Sequence, residues 1–206
     1  MIELIDVSKK YGEKVIFDNY SLAIKAGEFV AIVGESGCGK STLLNLIGLL
    51  ERHDKGYICI DGNEGIRSNT IEATKLLRYK ISYLFQNFAL IDEETAFYNL
   101  KIALRYTKGN QRDKIKKALD IVGLSGHENK RIYQLSGGEQ QRVALARVMI
   151  KPSKIILADE PTGSLDVGNR DLVMDMLKTF QKQGKTIVIV THDMAVANQC
   201  DRIIKL

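Results

Sequence analysis

The chain has 206 residues, with 30 basic against 25 acidic side chains and a net charge of +5. That length supports a substantial core without covalent staples, and Cys38, Cys59 and Cys200 are too scattered for a disulfide framework or a zinc site. Because opposite charges are interspersed, the small basic excess reads as an ordinary solvated surface, not a nucleic-acid or anionic-lipid face.

In chain order, the N-terminal stretch reads as short antiparallel strands with turns at Asp18-Asn19 and Lys25-Ala26-Gly27, leading into a buried strand at 29–33. After a glycine-rich turn, residues 41–50 place Leu43, Leu44, Ile47 and Leu50 at helical spacing. Residues 57–60 with Asp61-Gly62 read as a strand and turn, and 81–85 as another buried strand. From 95 to 122 the pattern is helical, with Ile115, Leu119 and Val122 on one stripe, marking a helical lobe inserted at about 87–150. From Gly138 onward helix, strand (155–158), helix (172–180), strand (186–190) and helix alternate, which predicts a parallel sheet covered by helices. The expected fold is α/β: a phosphate-loop core with a mostly parallel sheet, an N-terminal antiparallel β subdomain and an inserted α-helical subdomain, forming one domain over 1–206. Lys114, Lys116 and Lys117 fall on a predicted helix and carry no assigned binding role.

No apolar run approaches the roughly 20 residues that span a bilayer. Glu3 and Asp6 stand where a secretory leader would be basic and then apolar. The expected setting is a reducing cytosol, with any membrane role peripheral. His53 and His127 are expected at the surface.

Gly34-Glu35-Ser36-Gly37-Cys38-Gly39-Lys40-Ser41 matches G-x-x-x-x-G-K-[ST] between a predicted strand and a predicted helix, the context that the motif requires. Glycines let the backbone wrap a phosphate with its N–H groups inward, and the helix N-terminus adds about half a positive charge. Lys40 would reach the β- and γ-phosphates, and Ser41, followed by Thr42, would place its hydroxyl on Mg²⁺. A plain turn capped by Ser41 would not need the lysine. Cys38 is a small residue within the loop, and bound nucleotide is expected to shield it from alkylation.

The apolar run at 155–158 ends in Asp159 and Glu160. Taken alone, this is a strand turning polar as it reaches solvent. In a parallel sheet, however, ligands bind at the carboxyl ends of strands, which brings both acids to the phosphate loop. Asp159 suits Mg²⁺, directly or through water. Glu160 suits the polarisation of a water for attack on the γ-phosphate.

Leu135-Ser136-Gly137-Gly138-Glu139-Gln140-Gln141-Arg142 is similar to the signature motif of ABC (ATP-binding cassette) ATPases, and the resemblance extends over essentially the whole chain. Ser136, Gly137 and Gly138 just before a helix form a second anion cradle, although a lone S-G-G would mean only a helix cap. The resemblance implies that this cradle serves a nucleotide held by a second copy of the chain, so that two ATP molecules are sandwiched in a head-to-tail dimer. It further implies that Tyr11 stacks on adenine and that Gln86 touches Mg²⁺ or the attacking water and links the site to the helical lobe. Asp166, in Ser164-Leu165-Asp166, would cross to the partner subunit, and His192 would contact the γ-phosphate. The implied cofactors are ATP and Mg²⁺. The implied partners are a second copy and an integral membrane permease, met at the cytoplasmic face of the cell membrane, with no direct nucleic acid.

Residues 157–166 resemble the subgroup of MacB-like exporters, lipoprotein-release ATPases and their cell-division relative. Residues 83–91 with Thr95, Asn99 and Leu100 are similar to ATPases of bacteriocin exporters of the lactococcin 972 type. Two departures stand out. The proline often found shortly before the signature is replaced around Ile132, and the chain stops at Leu206, which argues against an appended regulatory domain. Cell-division ATPases that pull on a membrane partner without cargo remain an alternative. Soluble ABC ATPases fit less well, because the short separation between Lys40 and Ser136 excludes a long coiled-coil insertion, and a kinase-like enzyme would not explain the signature.

Overall fold

The computed structural model describes residues 1–163 and 167–206. Ile2–Tyr11 (β1) and Lys14–Ile24 (β2) pair antiparallel. Their hairpin reverses at Gly12, whose φ of 57° suits a residue without a Cβ. The turn expected at Asp18-Asn19 lies inside β2 instead. Asn19 takes a φ of 49°, and the pairing slips between Val7↔Tyr20 and Lys9↔Phe17, so the local turn chemistry is used for a bulge.

Phe29–Val33 (β3) runs through the glycine-rich loop into Lys40–Ile47 (α1). The helix ends earlier than its apolar spacing predicts. The Gly48 N–H donates to the Leu44 carbonyl and the Leu49 N–H to that of Leu46, and Leu49 turns left-handed with a φ of 55°; Leu50 is therefore 47% exposed while Leu46 is buried. Lys55–Ile60 (β4) pairs with the free side of β1, making an antiparallel sheet of order β2-β1-β4 among the described residues. Its inner residues Ile2, Leu4, Val7, Ile58 and Ile60 join Leu43, Leu44 and Ile47 of α1 in one core.

Ile71–Tyr79 (α2) is capped by Thr70, and Ile81–Leu84 (β5) follows. Ala96–Ala103 (α3) and Gln111–Ile121 (α4) start at Thr95 and Asn110, whose side chains accept the first free backbone N–H groups. Leu100, Ile115, Leu119 and Val122 are buried against Ile132, Val143 and Ala146, a separate apolar cluster that holds this lobe together. Gly137–Ile150 (α5) carries the last two of these residues, and its Ala144, Leu145 and Val148 pack on the main sheet, so one helix belongs to both cores.

Ile155–Asp159 (β6), Val167–Lys182 (α6), Thr186–Val190 (β7), Met194–Ala197 (α7) and Arg202–Lys205 (β8) complete the chain. The described parallel sheet has the order β5-β6-β7-β3-β8. Val30, Ile32, Leu157 and Val188 face α1, whereas Phe29, Ala31, Ile156, Ile187 and Ile189 face α5 and α6. Burial on both sides explains why these strands read as unbroken apolar runs. Because β6, β7 and β3 are neighbours, their carboxyl ends deliver the phosphate loop, the acid pair and the segment before His192 to one edge.

Candidate functional site

The phosphate loop is pinned by close contacts. A Cβ on Gly39 would lie 2.6 Å from Ile16 Cγ2, and Gly39 itself has a φ of 106°, so both space and backbone require glycine there. Lys40 Nζ donates to the carbonyls of Gly34 at 2.8 Å and Glu35 at 2.7 Å, fixing the ammonium over the loop. Ser36, Gly37, Gly39, Lys40, Ser41 and Thr42 share a cleft of about 330 Å³ with Gln86, Asp159, Glu160 and His192. Residues separated by more than 150 positions in sequence thus meet at one place.

Ser41 Oγ donates to Asp159 Oδ1 at 3.3 Å. Burial pushes the Asp159 carboxyl above the usual range, the Ser41 hydroxyl and the Lys40 charge pull it back, and Glu160 pushes it up again. Glu160 has a φ of 44°, a strained conformation for a residue with a side chain that costs on the order of 1–3 kcal/mol. Its N–H donates to the Val190 carbonyl at 2.9 Å, tying the end of β6 to β7. Oε1 accepts from His192 Nδ1 at 2.9 Å, while Oε2 is buried with no hydrogen-bond partner among the described residues. The bond to Glu160 and its charge raise the His192 pKa. An under-bonded carboxylate oxygen beside a phosphate cradle is an acceptor for a water proton.

Other expected residues lie apart from this cleft. Tyr11 sits at the end of β1, its hydroxyl donating to Glu51 and Lys9 Nζ 4.6 Å from its ring centre. Burial and the Glu51 carboxylate raise the Tyr11 pKa, and Thr42 pulls it back. Gly34 and Glu35 contribute carbonyls to Lys40, and Cys38 Sγ packs over Gly34, 2.7 Å from where a Cβ there would be. Ser136, Gly137 and Gly138 form the start of α5 and do not line the cleft. A Cβ on Gly138 would come within 2.8 Å of Asn169 Nδ2, so a side chain there would have to displace the Asn169 amide. Asp166, with Ser164 and Leu165, lies outside the described residues.

One of the two histidines expected at the surface, His53, is buried instead. His53 is only 8% exposed, and burial, reinforced by Arg67 and Arg52, lowers its pKa. His127 is half-buried and its Nε2 lies 3.3 Å from a Glu139 carboxylate oxygen. Gln141 carried no assignment in the sequence, yet it is 2% exposed and its Nε2 donates to the Pro161 carbonyl at 2.8 Å, joining α5 to the turn after the acid pair. A glutamine two positions before the buried run Val143-Ala144-Leu145 was the available signal.

This cleft, a lysine-bearing phosphate loop facing a serine–aspartate pair and a histidine-held glutamate at strand ends, defines a nucleoside-triphosphate hydrolase of the phosphate-loop class. A family model described as "ABC transporter" matches residues 17–163, and the chain belongs to that family as its ATP-hydrolysing cassette. The ABC transporter ATP-binding protein MJ0796 of Methanocaldococcus jannaschii is 44% identical over 223 residues, covering 100% of this chain and 93% of that one. The macrolide export ATP-binding/permease protein MacB of Escherichia coli is 41% identical over 213 residues, covering 100% of this chain and 33% of MacB. The chain therefore spans about a third of the length of these MacB relatives. Among solved structures, a post-hydrolysis dimer of the MJ0796 cassette bound to ADP and Pi superposes with a TM-score of 0.91 at 40% identity, covering 100% of this chain and 94% of the other. Among the described residues no helix is long and apolar enough to cross a membrane.

Proposed function

We propose that this ATPase powers an exporter, working as a head-to-tail dimer on separate membrane-spanning subunits at the cytoplasmic face of the membrane. The observation that carries the chemistry is the Glu160 carboxylate, fixed by His192 on one oxygen and without a hydrogen-bond partner among the described residues on the other, in the same cleft as Lys40. Lys40 offsets phosphate charge as it develops, and the loop N–H groups and helix N-terminus hold the γ-phosphate in line for attack. Glu160 Oε2 accepts a proton from the attacking water. His192 keeps the carboxylate oriented and, as a donor, contacts the γ-phosphate. Tyr11 supplies an aromatic face for adenine.

The donor set fits Mg²⁺. The Ser41 hydroxyl and Asp159 carboxylate are hard oxygen groups already within 3.3 Å, and the Gln86 amide borders the same cleft. When bound, the ion would neutralise phosphate charge, with Ser41 and Asp159 holding it and Gln86 reaching it directly or through water.

MacB relatives that join this cassette to a permease support a permease partner and the export direction, and the dimeric MJ0796 cassettes support self-association. Gln86 follows Phe85, which borders a groove of about 350 Å³ between the sheet and α3, lined by Tyr83, Tyr106, Arg147 and Lys151. A membrane partner seated there would sense movement of Gln86 when the dimer closes. A bacteriocin, peptide or lipoprotein-like cargo is the finer reading, supported by the resemblance at 83–91. The test is Glu160→Gln: ATP binding is retained and hydrolysis falls by about 10²–10⁴-fold, whereas near-normal turnover contradicts the assigned role. Capture of that variant with Mg-ATP from solubilised membranes brings down a MacB-like permease; a division protein as its sole partner would overturn export.

A further inference from the structure

Glu139 stands at the third position of α5, where its Oε2 accepts from both the backbone N–H and the hydroxyl of Ser136, each at 2.8 Å. A carboxylate at this position is an ordinary helix cap. Its second oxygen is used differently: Oε1 lies 3.3 Å from His127 Nε2. On the far side of the ring, His127 Nδ1 is 3.1 Å from the Ser125 carbonyl oxygen. Carbonyl and carboxylate oxygens only accept, so the ring meets either of them through an N–H. The bonds from Ser136 hold the Glu139 carboxyl below its ordinary range, with the charges of His127 and Lys130 adding to the effect. The Ser136 hydroxyl, the one side-chain donor this turn has for a phosphate, is thus already given to a carboxylate on the same helix N-terminus.

We propose that His127 is a positioning residue for the signature turn. By holding Glu139 through Oε1 and offsetting its charge, it sets how readily Ser136 turns to the γ-phosphate of ATP carried by the second copy. The inference rests on the head-to-tail dimer proposed above. Glu139 and the incoming phosphate are both anions seeking the same dipole end and the same hydroxyl, so an uncompensated Glu139 opposes closure. His127 acts on the binding step that brings the two chains together, and the chemistry at Glu160 lies in the other cleft. Its removal therefore raises KM for ATP and leaves kcat at saturating ATP in place.

The test is a double-mutant cycle on steady-state ATP hydrolysis, comparing the native chain, His127→Ala, Glu139→Gln and the double variant. Glu139→Gln keeps an oxygen to cap Ser136 but removes the charge. The expected result is that His127→Ala raises KM about two- to fivefold in the native background, the span of a partly exposed ion pair, and changes nothing in the Glu139→Gln background. A fall in kcat at unchanged KM, or an equal effect in both backgrounds, overturns the proposal. ATP-dependent dimerisation of Glu160→Gln by size-exclusion chromatography separates the two layers. If no dimer forms, the dimer reading falls and this inference with it; if the dimer forms and the cycle shows no coupling, only the role of His127 falls.

Discussion

Two helix N-termini in this chain carry glycine and serine, and they are built for different work. At the start of α1 the phosphate loop lies at strand ends, its ammonium is fixed over two carbonyls, and the acid pair faces it. At the start of α5 there is no lysine in the turn, and the hydroxyl of Ser136 is already bonded to Glu139. Both ends present free N–H groups to an anion, but only the first is surrounded by groups that do chemistry. On the proposed head-to-tail reading the second is half of a site that another chain would complete, and within this chain Ser136 is bonded to Glu139.

The sharpest way to break this comparison is the same substitution in both places. Glu160→Gln lowers turnover by about 10²–10⁴-fold, whereas Glu139→Gln retains turnover and lowers KM; equal losses of turnover would erase the distinction. Next in size, Lys40→Ala removes charge-assisted bonds to phosphate and weakens ATP binding about 10- to 100-fold by equilibrium titration. Gln141→Leu leaves the Pro161 carbonyl without its donor in a buried setting, and costs about 1–3 kcal/mol in chemical denaturation. The smallest effect is in pH. The folded-state pKa of His192 is raised by Glu160, so the pair stabilises the fold below the ordinary histidine value of about 6.5 and loses that contribution as pH rises through the raised value. The difference in Tm between the native chain and His192→Gln is accordingly largest in mild acid and shrinks toward alkaline pH. Cys38 labelling sharpens the first region alone, since nucleotide in the loop slows alkylation and equal rates with and without ATP would contradict its shielding.

The phosphate cleft was legible in the sequence because its motif dictates its own backbone. Glycines, lysine and serine at fixed spacing between a strand and a helix leave little freedom, and a parallel sheet then carries Asp159 and Glu160 to the same edge. What escaped depends on contacts between distant segments. Asp18-Asn19 has the composition of a turn, yet pairing with β1 carries the strand straight through it as a bulge. Leu50 continues the apolar spacing, but α1 has already ended at Gly48. His53 and His127 look alike as isolated polar residues, and only the fold buries one and sets the other beside Glu139. Gln141 is similar: its partner, the Pro161 carbonyl, lies across a helix–turn contact that no periodicity reports.

The claim that each working site takes its phosphate loop from one chain and its signature turn from another is tested by mixing two inactive variants. Lys40→Ala keeps an intact signature turn, and Ser136→Arg keeps an intact phosphate loop, so a mixed dimer contains one site made of two good halves. ATP hydrolysis by the mixture that exceeds the sum of the separate variants is the expected result. A mixture no more active than its components, with mixed dimers verified to form, would contradict it.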